Sequence, residues 1–438
     1  MSINEATPTG TIFGSVVTIS NTALGAGVVA LPFAMRMSGI IPGIIIFLFV
    51  CFIALYTMHL LIICSNKTDS FSYKDIAIKT FGPNVAILFE ICIAALCFGI
   101  LTVYVIVMRN LLSDILSIWF KNINTYVITG VLMLCIIYPL CITPSLQLLI
   151  PISSFAIIAI YYIAFFILYS GIESLAKGNI PQIKLYDTNI INVLNVFPTF
   201  VFAFGSHFTL LSVYKELKER STRKIYVAIN CSYTIILMLY FFISIFGYIT
   251  FSNKDNFSSN ILLMFDRKYI PAIIAKVSLL ILVLFSFPIV NFACKSSINN
   301  VIYDISSKNV SLILISTIIC ILTYLLGNFI TDMLIVFGLI MTTTGVMIEF
   351  IFPLLFHIKI EENKLFKIFS IILLLLSSII SLICFVLSMY ETITGIIMVY
   401  QSNDIFKIVI VSFFIAFFSL IVILLIIYII RKCILSRK

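Results

Sequence analysis

Charged residues are scarce in this chain of 438 residues: they make up 10% of it, whereas hydrophobic residues make up 62%. A soluble domain carries about 25% charged residues. Tryptophan occurs once and histidine three times, and the mean hydropathy is +1.21. This composition excludes a soluble globule and indicates a protein embedded in a membrane.

Clusters of metal-binding or catalytic side chains are also missing. The eleven cysteines form no Cys-x-x-Cys pair, and His59, His207 and His357 lie in separate apolar runs. A zinc site, a disulfide framework and a membrane-embedded enzyme are therefore disfavoured. The absence of a glycine-rich phosphate loop argues against ATP-driven pumping. No cofactor is expected, and no nucleic acid partner, because the basic residues behind the net charge of +9 lie at the ends of apolar runs.

Long apolar runs fill the chain, and each is long enough to cross a bilayer as a helix, which takes about 20 residues. They exceed the roughly 10-residue strands of a membrane β-barrel, so an all-α bundle is predicted. Twelve spans are predicted, at residues 11–37, 40–64, 84–112, 126–146, 149–171, 193–215, 224–251, 271–298, 310–329, 333–357, 366–390 and 405–430.

Lysine and arginine are more frequent in the loops that face inward if the N-terminus is cytoplasmic, as the positive-inside rule requires. Twelve spans then place both termini in the cytoplasm. This count requires an outer loop at residues 391–404, and eleven spans is the alternative. The segment 72–82 is predicted to be either a short interfacial helix or an ordinary polar loop.

The first span is predicted to contain a broken helix. Asn21, Gly25 and Gly27 are followed by Pro32, and each of these residues weakens the helical hydrogen-bond ladder. Such breaks occur at membrane depth only where they line a cavity or are covered by protein. The alternative is a stripe of small residues for close helix packing.

A second interruption is predicted in the sixth span, at Gly205, Ser206 and His207. Polar residues at this depth are costly unless they face a polar cavity. The two interrupted spans are five spans apart. Glycine-interrupted helices at corresponding positions of two halves indicate an inverted-repeat transporter with its site near the membrane midplane.

These residues resemble a known family, the amino acid/auxin permeases, which include the sodium-coupled neutral amino acid transporters. The resemblance lies in NTALGAGVVALP at 21–32 and FAFGSHFTLLSVYKEL at 202–217, with weaker matches at 285–288, 336–338 and 352–353. The chain departs from the family at Ser206 and Phe208, where the family usually has Cys and Pro, and at Lys295.

The resemblance implies a single transmembrane transporter domain over 1–438, with a ten-helix inverted repeat. Its repeats would be 11–171 and 193–357, and 366–430 would form peripheral helices. The implied function is secondary active or facilitative transport of amino acids by alternating access, and neutral amino acids are the expected substrates. The location would be the plasma membrane or the vacuolar or lysosomal membrane. A non-transporting amino acid sensor of the same fold is the alternative, and the oligomeric state is not indicated.

The two breaks supply the predicted site. In span one, the amides of Gly25, Ala26 and Gly27 would hold the substrate's carboxylate. In span six, carbonyls would accept from its ammonium group. The predicted substrate-binding residues are Thr22, Ala23, Gly25, Ala26, Gly27, Phe202, Ala203, Phe204 and His207.

Three coupling modes remain open. The resemblance implies a sodium ion at Asn21 and Ser286. Alternatively Glu349, with His207, carries a proton, or transport is uncoupled. A structural pairing of Glu349 with Lys295 is equally consistent with the sequence. Glu90 and Lys276 are close enough to span ends to extend to the membrane surface.

Overall fold

The computed structural model describes residues 10–120, 124–142, 150–178, 181–306, 310–330 and 332–400. These residues form helices and no strand; a single isolated bridge joins Gly10 to Leu217. The helices are α1 (Ile12–Ala23), α2 (Leu31–Ser38), α3 (Ile40–Thr68), α4 (Tyr73–Phe81), α5 (Pro83–Leu116), α6 (Thr125–Leu132), α7 (Tyr138–Cys141), α8 (Ile150–Ala176), α9 (Ile190–Asn195), α10 (Phe197–Phe204), α11 (His207–Glu216), α12 (Thr222–Phe251), α13 (Ile270–Ser306), α14 (Leu312–Phe329), α15 (Met333–Ile340), α16 (Phe352–Ile360) and α17 (Lys364–Tyr400).

The predicted all-helical membrane fold is confirmed. Within the described ranges, nine helices are long and apolar enough to cross a bilayer, and the bent pair Ile12–Ala23 and Ala26–Ser38 makes a tenth. The shorter apolar stretch Thr125–Cys141 corresponds to the predicted fourth span. The predicted twelfth span, 405–430, lies outside the described residues.

The predicted outer loop at 391–404 is wrong over residues 391–400, because α17 continues through them to Tyr400. At about 1.5 Å per residue, its 37 residues extend about 55 Å, well beyond the roughly 30 Å hydrocarbon core. The reason lies in the sequence, since residues 391–400 contain one charged side chain and no proline, so nothing local ends the helix. Of the two alternatives for 72–82, the structure has the short helix, α4, which Ser72 caps by accepting from the Asp75 N–H.

The bundle centres on α5 and α13, which share the most extensive contact between any two of the described helices. Buried charges join them. Lys276 on α13 is fully buried and donates to Asp114 Oδ2 on α5 over 2.7 Å, while Arg267 Nε donates to Asp114 Oδ1 over 2.8 Å. The prediction that Lys276 extends to the membrane surface is therefore wrong, because a carboxylate on the neighbouring helix meets its ammonium group inside the protein.

Glu90 does not extend to the surface either. Its side chain is buried, and its Oε1 accepts from Asn300 Nδ2 on α13 over 3.1 Å. Arg109, a further charged residue inside α5, donates to the carbonyls of Gly327 and Asn328 at the end of α14. Each buried charge in α5 thus has a polar partner on another helix, as the low dielectric of the interior requires.

The end of α2 is covered by the segment at 181–189. Ile40 N–H and Ile41 N–H donate to the carbonyls of Lys184 and Leu185, and Asp187 N–H donates to Ser38 O. Gly39 makes this possible because its φ is +80° and a Cβ there would lie 2.6 Å from the Tyr186 Cα. This end of span one is therefore closed by backbone pairing.

At the opposite side of the bundle, Glu361 joins the ends of α3 and α16. Its Oε2 accepts from Lys67 Nζ over 3.0 Å and lies 3.4 Å from His357 Nε2, and its Oε1 accepts from the Asn363 N–H. The Asn363 N–H, then Lys67, lower the pKa of Glu361 from its ordinary value of 4.5 to about 2.

This lowered pKa predicts a pH-dependent stability. The carboxylate stabilises the fold fully above pH 4.5, and its contribution is lost as the pH falls from about 4.5 towards 2. We expect the parent protein to melt at a higher temperature than Glu361→Gln at pH 5, and the gap to narrow at pH 4 and again at pH 3. Thermal denaturation in detergent measures this, and a gap that stays constant down to pH 3 would contradict it.

Candidate functional site

The predicted break in span one is present. Helix α1 ends at Ala23, and a 3-10 helix at Ala26–Ala30 precedes α2, with a bend of 48° between the two halves. Leu24 has φ −73° and ψ 73°, the geometry of an inverse γ-turn, and the Gly25 N–H donates to Ala23 O over 2.8 Å. The chain therefore turns within two residues and starts a new helical segment.

The amides at this break differ from the prediction in one respect. The Gly25 N–H already donates to Ala23 O, so it is not free for an anionic ligand. Within the described part of the chain, the N–H groups of Ala26 and Gly27, at the start of the 3-10 helix, have no backbone acceptor. Two amides rather than three are therefore available at the positive end of this segment.

Span six is also interrupted. Helix α10 ends at Phe204 and α11 begins at His207, leaving Gly205 and Ser206 outside both helices. The two interrupted spans meet, since Thr209 Oγ1 on α11 lies 3.3 Å from Thr22 Oγ1 on α1. The carbonyl-bearing end of α1 and the start of α11 therefore face the same space.

Two tyrosines of α12 donate hydrogen bonds to carbonyls at the helix breaks, one at each break. Tyr240 OH donates to Ala23 O over 2.6 Å, and Tyr233 OH donates to Phe204 O over 3.0 Å. Ala23 and Phe204 are the last residues of α1 and α10, whose carbonyls lack the next helical turn as a donor. Because the tyrosines are seven residues apart, they lie on one face of α12 and satisfy the two carbonyls together. Sequence reasoning did not identify them.

Between the breaks lies a cavity of about 100 Å³. Residues from spans one, three, six, eight and ten line it: Asn21, Thr22, Ala23, Gly25, Leu96, Ile100, Tyr104, Phe202, Gly205, Phe208, Thr209, Ser286, Ile289, Val290, Met341 and Glu349. Seven of these were predicted as site residues, namely Asn21, Thr22, Ala23, Gly25, Phe202, Ser286 and Glu349. The wall from α5, at Leu96, Ile100 and Tyr104, was missed because it is an uninterrupted apolar helix with no local signal.

Five predicted site residues lie outside this lining: Ala26, Gly27, Ala203, Phe204 and His207. Gly27 lies directly behind the cavity, where a Cβ would come within 2.3 Å of the Phe202 ring. His207 is fully buried and faces α3, with its Nε2 2.9 Å from Thr57 Oγ1 and 3.2 Å from Ala54 O. It therefore packs between helices and does not border the cavity.

Phe202 and Phe204 point in different directions. Phe202 lines the cavity and stacks on Phe337, with ring centroids 4.3 Å apart. Phe204 is fully buried on another face, against Phe47 and the two tyrosines of α12. Two residues apart on a helix differ by about 200° in direction, which explains why Phe202 lines the cavity and Phe204, also predicted to bind the substrate, lies outside its lining.

This difference predicts distinct results for two matched variants. We expect Phe202→Leu to change the half-saturation concentration of a transported ligand by roughly threefold to tenfold, the value of one aromatic contact. Phe204→Leu should lower the melting temperature and leave the order of preference among ligands unchanged. Uptake and thermal denaturation of both variants measure this, and a preference altered only by Phe204→Leu would contradict the placement.

Glu349 reaches the cavity from a distorted part of span ten. Residues Met341–Gly345 and Met347–Ile351 are π-helical, a geometry that is rare and often found at functional sites. The Glu349 side chain extends to Gly205, where a Cβ would lie 2.5 Å from its Oε1. The suggested pairing with Lys295 is not found, because Lys295 Nζ donates to Cys141 O over 2.7 Å.

A family model described as "Transmembrane amino acid transporter protein" matches residues 8–401. The chain is 27% identical over 310 residues to vacuolar amino acid transporter 6 of Saccharomyces cerevisiae, covering 69% of this chain and 68% of that protein. It is 26% identical over 402 residues to sodium-coupled neutral amino acid symporter 2 of Danio rerio, covering 83% and 78%.

Solved structures share the fold. The manganese transporter of Eremococcus coleocola matches with a TM-score of 0.59 and 11% identity, over 97% of this chain and 99% of that one. MhsT in complex with L-phenylalanine matches with a TM-score of 0.53 and 13% identity, over 86% and 98%. At these identities the likeness shows the fold alone.

Proposed function

Since the chain belongs to the transmembrane amino acid transporter protein family, we propose that it carries amino acids with uncharged side chains across a membrane by alternating access, and that they bind in the cavity between the two helix breaks. The observation that carries this proposal is the cavity itself, which contacts both interrupted spans. Such a position matches the midplane sites of transporters built from broken helices.

The proposed pose places each end of the substrate at one break. Its carboxylate approaches over Gly25, whose missing side chain opens the way to the N–H groups of Ala26 and Gly27. Its side chain lies against the apolar wall formed by Leu96, Ile100 and Val290. This wall supports an uncharged side chain, as does the similarity to a neutral amino acid symporter.

We propose sodium as the coupling ion, held by Asn21 and Ser286. Both residues line the cavity, and an amide oxygen with a hydroxyl and helix-end carbonyls suits a hard cation. Because His207 faces α3, a proton route through His207 and Glu349 has less support. Proton coupling and uncoupled transport remain the alternative outcomes of the experiment.

The repeats and the location complete the proposal. The spans at 11–171 and 193–357 form the two repeats, and α17 is peripheral to them. The proposed location is a vacuolar or a plasma membrane, and the similarity to a vacuolar transporter supports the first.

The experiment is uptake into proteoliposomes of a panel of radiolabelled amino acids, with sodium and pH gradients applied separately. We expect sodium-stimulated uptake, and we expect Asn21→Ala to raise the sodium concentration for half-maximal uptake at least roughly tenfold, the value of one ligand to a charge. Uptake driven only by a pH gradient would replace sodium by a proton. Binding without uptake or counterflow would indicate a sensor and overturn the transport proposal.

A further inference from the structure

Glu349 is a buried acid in the cavity whose charge is not balanced within the described part of the chain. Its side chain is 3% exposed, its Oε2 has no hydrogen-bond partner there, and it makes no ion pair with any described residue. An ionised carboxylate in such surroundings is costly unless a cation or several donors reach it. The side chain therefore has an unused capacity to bind a positive group.

The hydroxyl groups near Glu349 do not donate to its carboxylate. Thr342, Thr343 and Thr344 donate back to carbonyls of their own helix, at Gly338, Leu339 and Ile340. Tyr233 OH is engaged with Phe204 O and Ser206 Oγ. These hydroxyl groups thus have other partners, while Glu349 lines the cavity.

The position of the acid coincides with the break in span six. Oε1 occupies the place beside Gly205 that any larger residue would fill. At the same break, Phe204 O already accepts from Tyr233, and Phe202 O accepts from the Gly205 N–H over 3.4 Å. The carbonyls at this break are therefore weak acceptors for an ammonium group. The Glu349 carboxylate lies beside them, where a stronger acceptor is needed.

We propose that Glu349 binds the α-ammonium group of the substrate, an inference that rests on the proposed function. The substrate then spans two oppositely charged ends, with its carboxylate at the amides of span one and its ammonium at the acid beside Gly205. Charge-assisted hydrogen bonds of this kind are shorter and stronger than those to neutral carbonyls. The site consequently selects molecules with a free, protonated amine next to a carboxylate.

The preference for an amine over a hydroxyl group at this position has an expected magnitude. A hydrogen bond to a charged group contributes a factor of roughly 10 to 100 in affinity. An analogue in which a hydroxyl replaces the amine keeps the carboxylate and side chain and loses this interaction. We therefore expect the parent protein to prefer an amino acid over its 2-hydroxy analogue by roughly 10- to 100-fold or more.

The experiment is competition against the radiolabelled amino acid that gives the strongest uptake in the panel. Its competitors are the unlabelled amino acid and its 2-hydroxy analogue; for leucine, this is 2-hydroxy-4-methylpentanoate. They are compared in the parent, in Glu349→Gln and in Glu90→Gln at fixed pH and saturating sodium. Glu90→Gln is the matched control, because Glu90 is also buried within a span but lies outside the cavity lining and accepts from Asn300.

We expect the preference for the amine to fall at least roughly tenfold in Glu349→Gln and to stay at the parent value in Glu90→Gln. An unchanged preference in Glu349→Gln overturns the assignment. If uptake measured separately across a pH series shows that the variant loses only its pH dependence, Glu349 is a proton carrier and the assignment is likewise overturned. In either case uptake by the parent leaves the proposed function standing. A parent that binds no amino acid overturns both.

The parent protein and a second variant keep the test decisive if Glu349→Gln does not fold. In Gly205→Ala, the new Cβ would displace Oε1, which it would otherwise approach within 2.5 Å, and the amine preference should fall as in Glu349→Gln. Equal competition by the hydroxy analogue and the amino acid in the parent protein would by itself refute the proposal.

Discussion

Uptake should fall at least roughly 100-fold when Gly27 is replaced by valine. A Cβ at this position would lie 2.3 Å from Cδ1 and 2.6 Å from Cε1 of Phe202, so the ring must move into the cavity or the 3-10 helix must shift. Displacements of about 1 Å at a binding site can cost a factor of 100 in rate. Uptake in proteoliposomes, normalised to the amount of folded protein, measures the effect.

Gly25→Ala is the control for this prediction. A Cβ at Gly25 has Tyr104 OH as its nearest neighbour, at an ordinary contact distance of 3.8 Å, so the substitution adds one methyl group without a clash. We expect Gly25→Ala to retain measurable uptake with a raised half-saturation concentration, because the methyl group narrows the approach to the amides. Normal uptake by Gly27→Val would show that the packing of Phe202 on span one does not matter for transport.

The second large effect is expected on stability, from Asp114→Asn. This substitution removes the carboxylate that pairs with the fully buried Lys276 and leaves an ammonium group without its counter-ion. Breaking a buried pair from one side costs about 3–5 kcal/mol. We expect a marked fall in the thermal denaturation midpoint in detergent, with a loss of contact between α5 and α13.

Two comparisons separate this cause from a general effect of losing a charge. Glu219→Gln removes one member of the exposed pair with Lys224 and should change stability by less than about 1 kcal/mol. The double variant Asp114→Leu with Lys276→Met removes both buried charges and should recover most of the lost stability. Equal melting temperatures for Asp114→Asn and the parent would refute the role of the pair.

Both helix breaks were predictable because their causes are local. Glycine, asparagine and a following proline weaken the backbone ladder wherever they occur, and span one turns at Leu24 and Gly25 as expected. The continuation of α17 through residues 391–400 was not predicted, because a count of twelve spans requires a loop there. Residues 391–400 contain Gly395 but no proline, and a single glycine in an apolar run does not end the helix.

The direction of individual side chains was less predictable. Phe202 and Phe204 are the same residue type two positions apart, and only the packing against Phe337 and α12 decides which one lines the cavity. His207 likewise depends on Thr57, a partner 150 residues away in the chain. The pairing of Lys276 with Asp114 spans 162 residues. Contacts of this kind carry no signal in a single sequence.

The two tyrosines of α12 have a consequence for the thermodynamics of ligand binding. A carbonyl left unsatisfied at a helix break costs about 1–3 kcal/mol when buried, and Tyr233 removes that cost at Phe204. Tyr240 gives Ala23 O a second donor beside the Gly25 N–H. The interrupted geometry is thus maintained by the protein's own hydroxyl groups when the cavity holds no substrate. A ligand that enters finds a preorganised site, and little of its binding free energy is consumed in ordering the backbone around it.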